Sequence, residues 1–318
     1  MINEDILLNV GNTPIVRLKP QDTDNINLYA KLEFYNPTGS TKDRAADYLM
    51  RKLIEDHIIT KNYTIIESSS GNFGVALSAY CKKYGLKFYC VVDPNICPIN
   101  ELLIKTLSTK MIKVTEPDKN GGYLLTRLEK VQELLSTIAD SYWVNQYGNP
   151  LNAEAYYNSL GNELCEQMDN IDYIFIGVSS GGTITGLSRR IKERFPGAKV
   201  IAVDVEGSVI FGGQPRKRYI PGIGSSIVPD ILRDSEIDDV VIVDELSTIT
   251  MCHELLKNHV IFAGGSSGSV LAAIKKFFRN KEFGTSPDVV AIFPDRGERY
   301  SNTIYNNDWY SGFLGTSV

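Results

Sequence analysis

Four stretches of this chain set a chemically useful residue among turn-forming or small neighbours at the entrance to an amphipathic segment. The first, Asn36-Pro37-Thr38-Gly39-Ser40-Thr41-Lys42-Asp43-Arg44, runs into Ala46, Leu49, Met50, Leu53 and Ile54, the spacing of one buried helical face. Lys42 therefore stands at a predicted helix start. The positive end of the helix dipole disfavours a cation there and favours a lysine that is neutral or tied up as an imine. Taken alone, the same lysine also fits an exposed loop. The second stretch, Ser68-Ser69-Ser70-Gly71-Asn72-Phe73-Gly74, lies between the apolar Thr64-Ile65-Ile66 and a helical pattern over 75–84. Its hydroxyls and backbone N–H groups suit a carboxylate, or simply cap the helix.

The third stretch, Ser179-Ser180-Gly181-Gly182-Thr183, follows the apolar run Tyr173 to Val178 and opens a helix through Arg190. Small residues let the backbone close around a phosphate at the positive end of that helix. The stretch matches neither G-x-x-x-x-G-K-[ST] nor G-x-G-x-x-G, so it points to a single phosphate and not to a nucleotide. The fourth, Gly264-Gly265-Ser266-Ser267-Gly268-Ser269, is a loop before another helical segment, with close backbone packing as the alternative reading. Arg216, Lys217 and Arg218 fall in a loop-like region over 212–226, either a solvated basic loop or a lid over an anionic substrate.

The elements that must position these groups alternate. Thr64 to Ile66, Phe88 to Val92, Tyr173 to Val178, Val200 to Val203, Val240 to Val243 and Val289 to Phe293 read as strands buried on both faces. Helical patterns lie between them, including Leu124, Leu125, Leu128, Val131, Leu134, Leu135 and Ile138. Such alternation predicts an α/β protein of parallel sheets covered by helices, with ligands at the carboxyl ends of the strands. A boundary at Asn149-Pro150 divides 1–150 from 151–318.

Composition narrows the class. The 318 residues carry 33 Lys+Arg against 38 Asp+Glu, a formal charge of −5, which disfavours capture of nucleic acid by counterion release. With 43% hydrophobic and 22% charged residues the chain is ordinary globular protein, long enough for about two domains. Five cysteines without a C-x-x-C pair, and no basic-then-apolar pattern over Met1 to Asn12, lead us to expect a cytoplasmic protein without a leader or membrane partner. His253 and His259 are six apart and no H-E-x-x-H occurs, so no metal site is expected. No G-x-S-x-G elbow is present, which disfavours a hydrolase.

Taken together, the Pro-x-Gly-Ser-x-Lys-Asp-Arg context of Lys42, Ser70-Gly71-Asn72-x-Gly74, the loop ending at Thr183, and Gly264 to Gly268 resemble one family in order and spacing. It is the cysteine synthase and cystathionine β-synthase family of fold-type II pyridoxal-phosphate enzymes. Gly11-Asn12-Thr13-Pro14, Gln146 with Asn149-Pro150, Pro221-Gly222-Ile223-Gly224 and Asp295-Arg296-Gly297-Glu298-Arg299-Tyr300 extend the resemblance over nearly the whole chain. It implies two three-layer parallel-sheet domains of the tryptophan synthase β type, the cofactor between them, with residues 11–35 able to cross into the second domain. It further implies that pyridoxal 5'-phosphate is the cofactor and that Lys42 forms the Schiff base and later serves as base at the substrate Cα. Asn72 would bond the ring hydroxyl, Ser179, Ser180, Gly181, Gly182 and Thr183 the phosphate, and Ser266 the pyridine nitrogen. Ser69, Ser70, Gly71 and Gln146 would grip the substrate carboxylate, in a homodimer.

Departures point to a narrower branch. Phe73 replaces a small hydroxyl residue in the substrate loop, and the phosphate loop carries Ser179-Ser180 where cysteine synthases have Gly-Thr. Val91-Val92-Asp93-Pro94, Glu116-Pro117-Asp118 with Gly121-Gly122-Tyr123, Tyr142-Trp143-Val144-Asn145-Gln146-Tyr147, and Gly207 to Gly212 resemble the N-(2-amino-2-carboxyethyl)-L-glutamate synthases of 2,3-diaminopropionate (siderophore) biosynthesis. That resemblance implies O-phospho-L-serine and L-glutamate as substrates, with Phe73 and Tyr147 beside them. The competing expectations are a cysteine synthase, a dehydratase, and a catalytically silent binding partner.

Overall fold

The computed structural model describes residues 4–118 and 122–316; Met1 to Asn3, Gly121 of the Gly121-Gly122-Tyr123 stretch, and the two C-terminal residues lie outside it. One sheet has six strands, in spatial order β1 (Ile15–Leu18), β2 (Asn27–Leu32), β10 (Asp288–Phe293), β7 (Tyr173–Gly177), β8 (Lys199–Val205) and β9 (Asp239–Val243). The other has four, in the order β5 (Lys110–Lys113), β4 (Lys87–Val92), β3 (Thr64–Ser68) and β6 (Ser141–Trp143). All six apolar runs of the sequence become strands. Neighbours run parallel except β1, which is antiparallel to β2. The front of the chain enters the six-stranded sheet because β2 pairs with β10, from Asn27 opposite Asp288 to Leu32 opposite Phe293.

Side-chain alternation along the strands separates three apolar layers. Ile65, Phe88, Ile174, Ile176, Val200, Val290 and Ile292 point into a central cluster shared by both sheets. Between the sheets, α1 (Lys42–Glu55), α2 (Asn72–Lys83), α5 (Leu151–Tyr156) and α7 (Gly182–Arg194) fill that layer with Ala46, Leu49, Leu53, Val75, Leu77, Tyr156, Ile184 and Leu187. The intervening residues face outward. Ile66 and Val91 meet Val131 and Leu134 of α4 (Leu124–Thr137). Phe175, Ile201, Val289 and Phe293 meet Leu255 of α8 (Glu245–His259) and Val270, Leu271 and Ile274 of α9 (Gly265–Phe278). Also present are α3 (Pro98–Leu107), α6 (Asn162–Gln167) and α10 (Asn307–Thr316). No described helix is long and apolar enough to cross a membrane.

One strand departs from the expected double burial. Only β8 flanks β9, so Ile242 remains 37% exposed on the sheet edge. The strands β1, β2, β5 and β6 were not legible as apolar runs, since Ile15-Val16-Arg17-Leu18, Lys110-Met111-Ile112-Lys113 and Ser141-Tyr142-Trp143 are short or flanked by charge.

A buried ionic cluster fastens these parts together. Arg44, two residues beyond Lys42, holds Glu33 with two guanidinium bonds (Nε–Oε2 2.6 Å, Nη2–Oε1 2.8 Å) and Glu163 of α6 with two more (2.6 and 2.8 Å). Lys31 Nζ donates to Glu163, Gln167 and the Thr13 carbonyl. The Asn12 N–H reaches Glu163 and the Thr13 hydroxyl reaches Glu33, which gives the Gly11-Asn12-Thr13-Pro14 stretch a structural purpose. Burial acts to raise the Glu163 carboxyl, but the bonds and charges of Arg44 and Lys31 outweigh it and hold the group down to about 2. A depressed carboxyl contributes stability that is complete above its unfolded value of 4.5 and is lost as the pH falls toward 2. Glu163→Gln should therefore cost about 2 kcal/mol at neutral pH. In urea unfolding, the difference from the wild type should disappear between pH 4.5 and about 2.

Candidate active site

Four helices begin at the residues singled out in the sequence. Lys42 starts α1, Asn72 starts α2, Gly182 starts α7, and Ser266 stands in the first turn of α9. The stretch over 264–269 is thus already helix from Gly265 onward, a correction to the loop expected there. Its close-packing reading holds as well: a Cβ on Gly268 would strike Cys252 and the Thr248 carbonyl of α8. The helix starts follow β3, β7 and the segment after β9, so the crevice opens at the carboxyl edge of both sheets. A narrow cleft is lined there by Lys42, Asn72, Ser179, Ser180, Gly181, Thr183 and Ser266, together with Thr41 and Asp295.

The turn before Lys42 is held by Asp43, whose carboxylate accepts from the Thr38 N–H (3.2 Å), the Thr38 hydroxyl (2.8 Å) and the Ser40 N–H (3.4 Å). Burial lifts Asp43 to about 6 against those bonds. Behind the turn, Arg299 donates to the Thr38 and Gly39 carbonyls. Lys42 Nζ lies 5.9 Å from the centre of the Tyr156 ring.

The glycine loop at the start of α7 has the shape of an anion cradle. Gly181 adopts φ +88°, and a Cβ there would come within 2.8 Å of Ile231. On Gly182 a Cβ would lie 2.6 Å from the Asn152 amide. Two buried hydroxyls on the cleft wall, Ser180 Oγ and Thr41 Oγ1, have no partner among the described residues. Leaving a buried hydroxyl unpaired costs roughly 1–3 kcal/mol, so their presence fits a ligand rich in acceptor oxygens. With the helix dipole behind them, these groups suit the phosphate of pyridoxal phosphate, and Lys42 is on the wall of the same cleft.

Asp295 is a further polar residue of the cleft, with no role that its sequence context assigns. It is 1% exposed, accepts from Asn72 Nδ2 (2.8 Å) and Tyr300 OH (2.9 Å) on one oxygen, and has Ser266 Oγ 3.5 Å from the other. Burial pushes its carboxyl up, against Arg299, Asn72 and Tyr300. Gly264 is required beside it, since a Cβ would overlap the carboxylate. The available signal was its position two residues past β10, at a strand's carboxyl end.

The substrate-loop residues form a neighbouring group that does not line the cleft itself. Ser69 Oγ accepts from the Gly71 and Gly74 N–H groups at 3.3 and 3.1 Å and so caps α2. Ser70 Oγ donates to Asp93 (2.9 Å) and accepts from Arg127 Nη1 (3.2 Å). Gln146 Nε2 donates to the Ser68 carbonyl (3.3 Å), tying the loop after β6 to the end of β3. The Tyr147 carbonyl accepts from Ile231 N–H (3.2 Å), beside the phosphate cradle. Phe73 is corrected: at 2% exposure it points from the first turn of α2 into the central apolar cluster, where its ring packs and does not face the cleft.

Arg216 and Lys217 fit the solvated-loop reading, both being exposed, while Arg218 is partly buried. Arg216 pairs with Glu206 in solvent, Lys217 lies over the Tyr219 ring, and Arg218 donates to the Gly207 and Ser225 carbonyls. Arg127, unnoticed within the apolar stripe of α4, is the cation at the substrate loop. It pairs with Asp93 (3.3 Å), and its buried Nε has no partner among the described residues. Ser180→Ala should leave the fold intact and lower affinity for pyridoxal phosphate about tenfold. Titration of the purified protein with the cofactor, followed by visible absorption, measures the change.

Comparison with known proteins agrees with this geometry. Residues 6–295 match the family described as pyridoxal-phosphate dependent enzyme. The chain is similar to the O-acetylserine dependent cystathionine β-synthase from Helicobacter pylori, at 32% identity over 95% of this chain and 98% of that one, with a TM-score of 0.88. It is similar to O-ureido-L-serine synthase at 26% identity, over 96% of each chain and with a TM-score of 0.87. A hydrogen sulfide-producing enzyme from Fusobacterium nucleatum is 27% identical over 94% of this chain and 100% of that one, with a TM-score of 0.87. The chain belongs to the family of pyridoxal-phosphate dependent enzymes.

Proposed function

We propose that the chain catalyses β-replacement on O-phospho-L-serine with the amino group of L-glutamate, releasing phosphate and N-(2-amino-2-carboxyethyl)-L-glutamate. The observation that carries this reading is Arg127, bonded to Ser70 at the substrate loop with a buried N–H to spare. A guanidinium there suits an anionic leaving group or a second carboxylate, and gives a sulfide nucleophile no comparable partner. The O-acetylserine donor named for one of the similar structures supports an O-activated serine. Phe73, being buried, lends no weight against a cysteine synthase.

When bound, pyridoxal phosphate withdraws electrons from the amino acid's Cα, which acidifies the α-proton and labilises a β-substituent. Around it the chain's residues have separate tasks. Lys42, delivered by the rigid start of α1, takes the proton from Cα and gives it back to Cα once the new bond at Cβ has formed. Ser180 and the α7 N-terminus hold the phosphate, Asn72 and Ser266 face the ring with Asp295 behind them, and Ser69, Ser70, Gly71 and Gln146 take the substrate carboxylate. The Cβ–O bond of phosphoserine breaks, the Cβ–N bond to glutamate forms, and the amine proton leaves with phosphate. The same reading makes the enzyme a cytoplasmic homodimer, with its domains divided near Asn149-Pro150.

Mass spectrometry of the enzyme incubated with O-phospho-L-serine and L-glutamate should show the condensed product with one phosphate released per turnover. Arg127→Met should raise KM for phosphoserine roughly tenfold or more, the loss of a charge-assisted bond. Turnover only with O-acetyl-L-serine and sulfide would make the enzyme a cysteine synthase and end the proposal.

A further inference from the structure

Glu67 is a buried carboxylate with no part in the chemistry above. It is the penultimate residue of β3 and is 1% exposed. One oxygen accepts from the Ser68 N–H at 2.7 Å and the Trp143 indole N–H at 3.4 Å, and the other accepts from the Gln146 N–H at 3.2 Å. Its three donors thus belong to the last residue of β3, to the end of β6 and to the loop that follows β6. Strand pairing between β3 and β6 ends at Ile66 opposite Trp143, and one further backbone bond, Val144 N–H to the Ile66 carbonyl, follows. Beyond it, the Glu67 carboxylate and the Gln146 amide replace the missing rungs of the ladder.

Resting on the reading that these loops grip the substrate carboxylate, we propose that Glu67 is a positioning residue that locks Ser68 to Gly71 and Gln146 into one binding frame. A glutamine would fill the same space, but its amide nitrogen would oppose one of the N–H donors and leave it buried without an acceptor. An ionised carboxylate accepts all three and does so more strongly. Facing it are Arg127 from α4, Cys90 directly opposite on β4, Tyr147 and Trp143; among these Arg127 is the cation. Burial, opposed by the three N–H donors and by Arg127, sets the carboxyl at about 7. The frame is therefore tight above that pH and loosens as Glu67 takes up a proton below it.

The test compares wild-type holoenzyme with Glu67→Gln from pH 6 to 8.5, using O-phospho-L-serine and, separately, O-acetyl-L-serine as donor. The variant should raise KM for the donor about tenfold while kcat changes far less, and should abolish the wild-type rise in KM below pH 7. Hydrogen exchange should quicken at the Ser68 and Gln146 amides, with cofactor affinity unchanged. Unaltered KM and an unaltered inflection in Glu67→Gln would overturn the proposal. Should that variant not fold, Trp143→Phe removes one donor and must move the inflection to higher pH; an inflection that stays in place overturns the proposal equally. If phosphoserine is not turned over but acetylserine shows both effects, the assigned donor is wrong and the role of Glu67 stands.

Discussion

The geometry of the cleft depends on one guanidinium. Arg44 lies in the first turn of α1 and joins two carboxylates from distant parts of the chain, Glu33 after β2 and Glu163 in α6. With Lys31 the cluster contains two cations and two anions, so its charge is balanced within the apolar surroundings. Desolvating four charges is expensive, and an apolar replacement of equal volume would often be as stable. What the ions supply instead is direction: the bidentate geometry of Arg44 on Glu33 fixes the rotation of α1, and with it the azimuth at which Lys42 leaves the helix. The same cluster anchors the Gly11 to Pro14 segment, far from the cleft in sequence.

Around that anchor the parallel topology does the rest. A strand followed by a helix in a parallel sheet delivers the helix N-terminus to the carboxyl edge, and this chain uses it at Asn72 and Gly182. Several positive dipole ends therefore face one crevice. The field favours an anion in the crevice. Asp295 is a buried carboxylate tying Asn72, Ser266 and Tyr300 into a single network at the cleft.

What could be read from sequence follows the strength of the local signal. Strands buried on both faces have continuous apolar runs, so β3, β4, β7, β8 and β10 were plain, and glycine-rich helix starts marked residues that line the cleft. Short edge strands such as Lys110–Lys113 lack such runs because one side of them is wet. Side-chain direction was the other blind spot. Phe73 lies between Asn72 and Gly74 in sequence, yet successive helical residues diverge by about 100°, so one faces the cleft and the next the core. Arg127 and Glu67 were hidden for a related reason. Each sits in an apolar stretch, and their value comes from partners that only the pairing of β3 with β6 and the packing of α4 bring near.

The pairing of β2 with β10 also sets an order of assembly on a chain that is synthesised from its N-terminus. The four-stranded sheet draws all its strands from residues 64–143 and can close early. The six-stranded sheet begins with β1 and β2, whose inner neighbour does not exist until residue 293 has been made. Until then the hairpin carries an unpaired strand edge, which opposes premature burial. Cofactor capture is consequently a late event in the life of the polypeptide, because Asp295 reaches the cleft with the strand that closes this sheet.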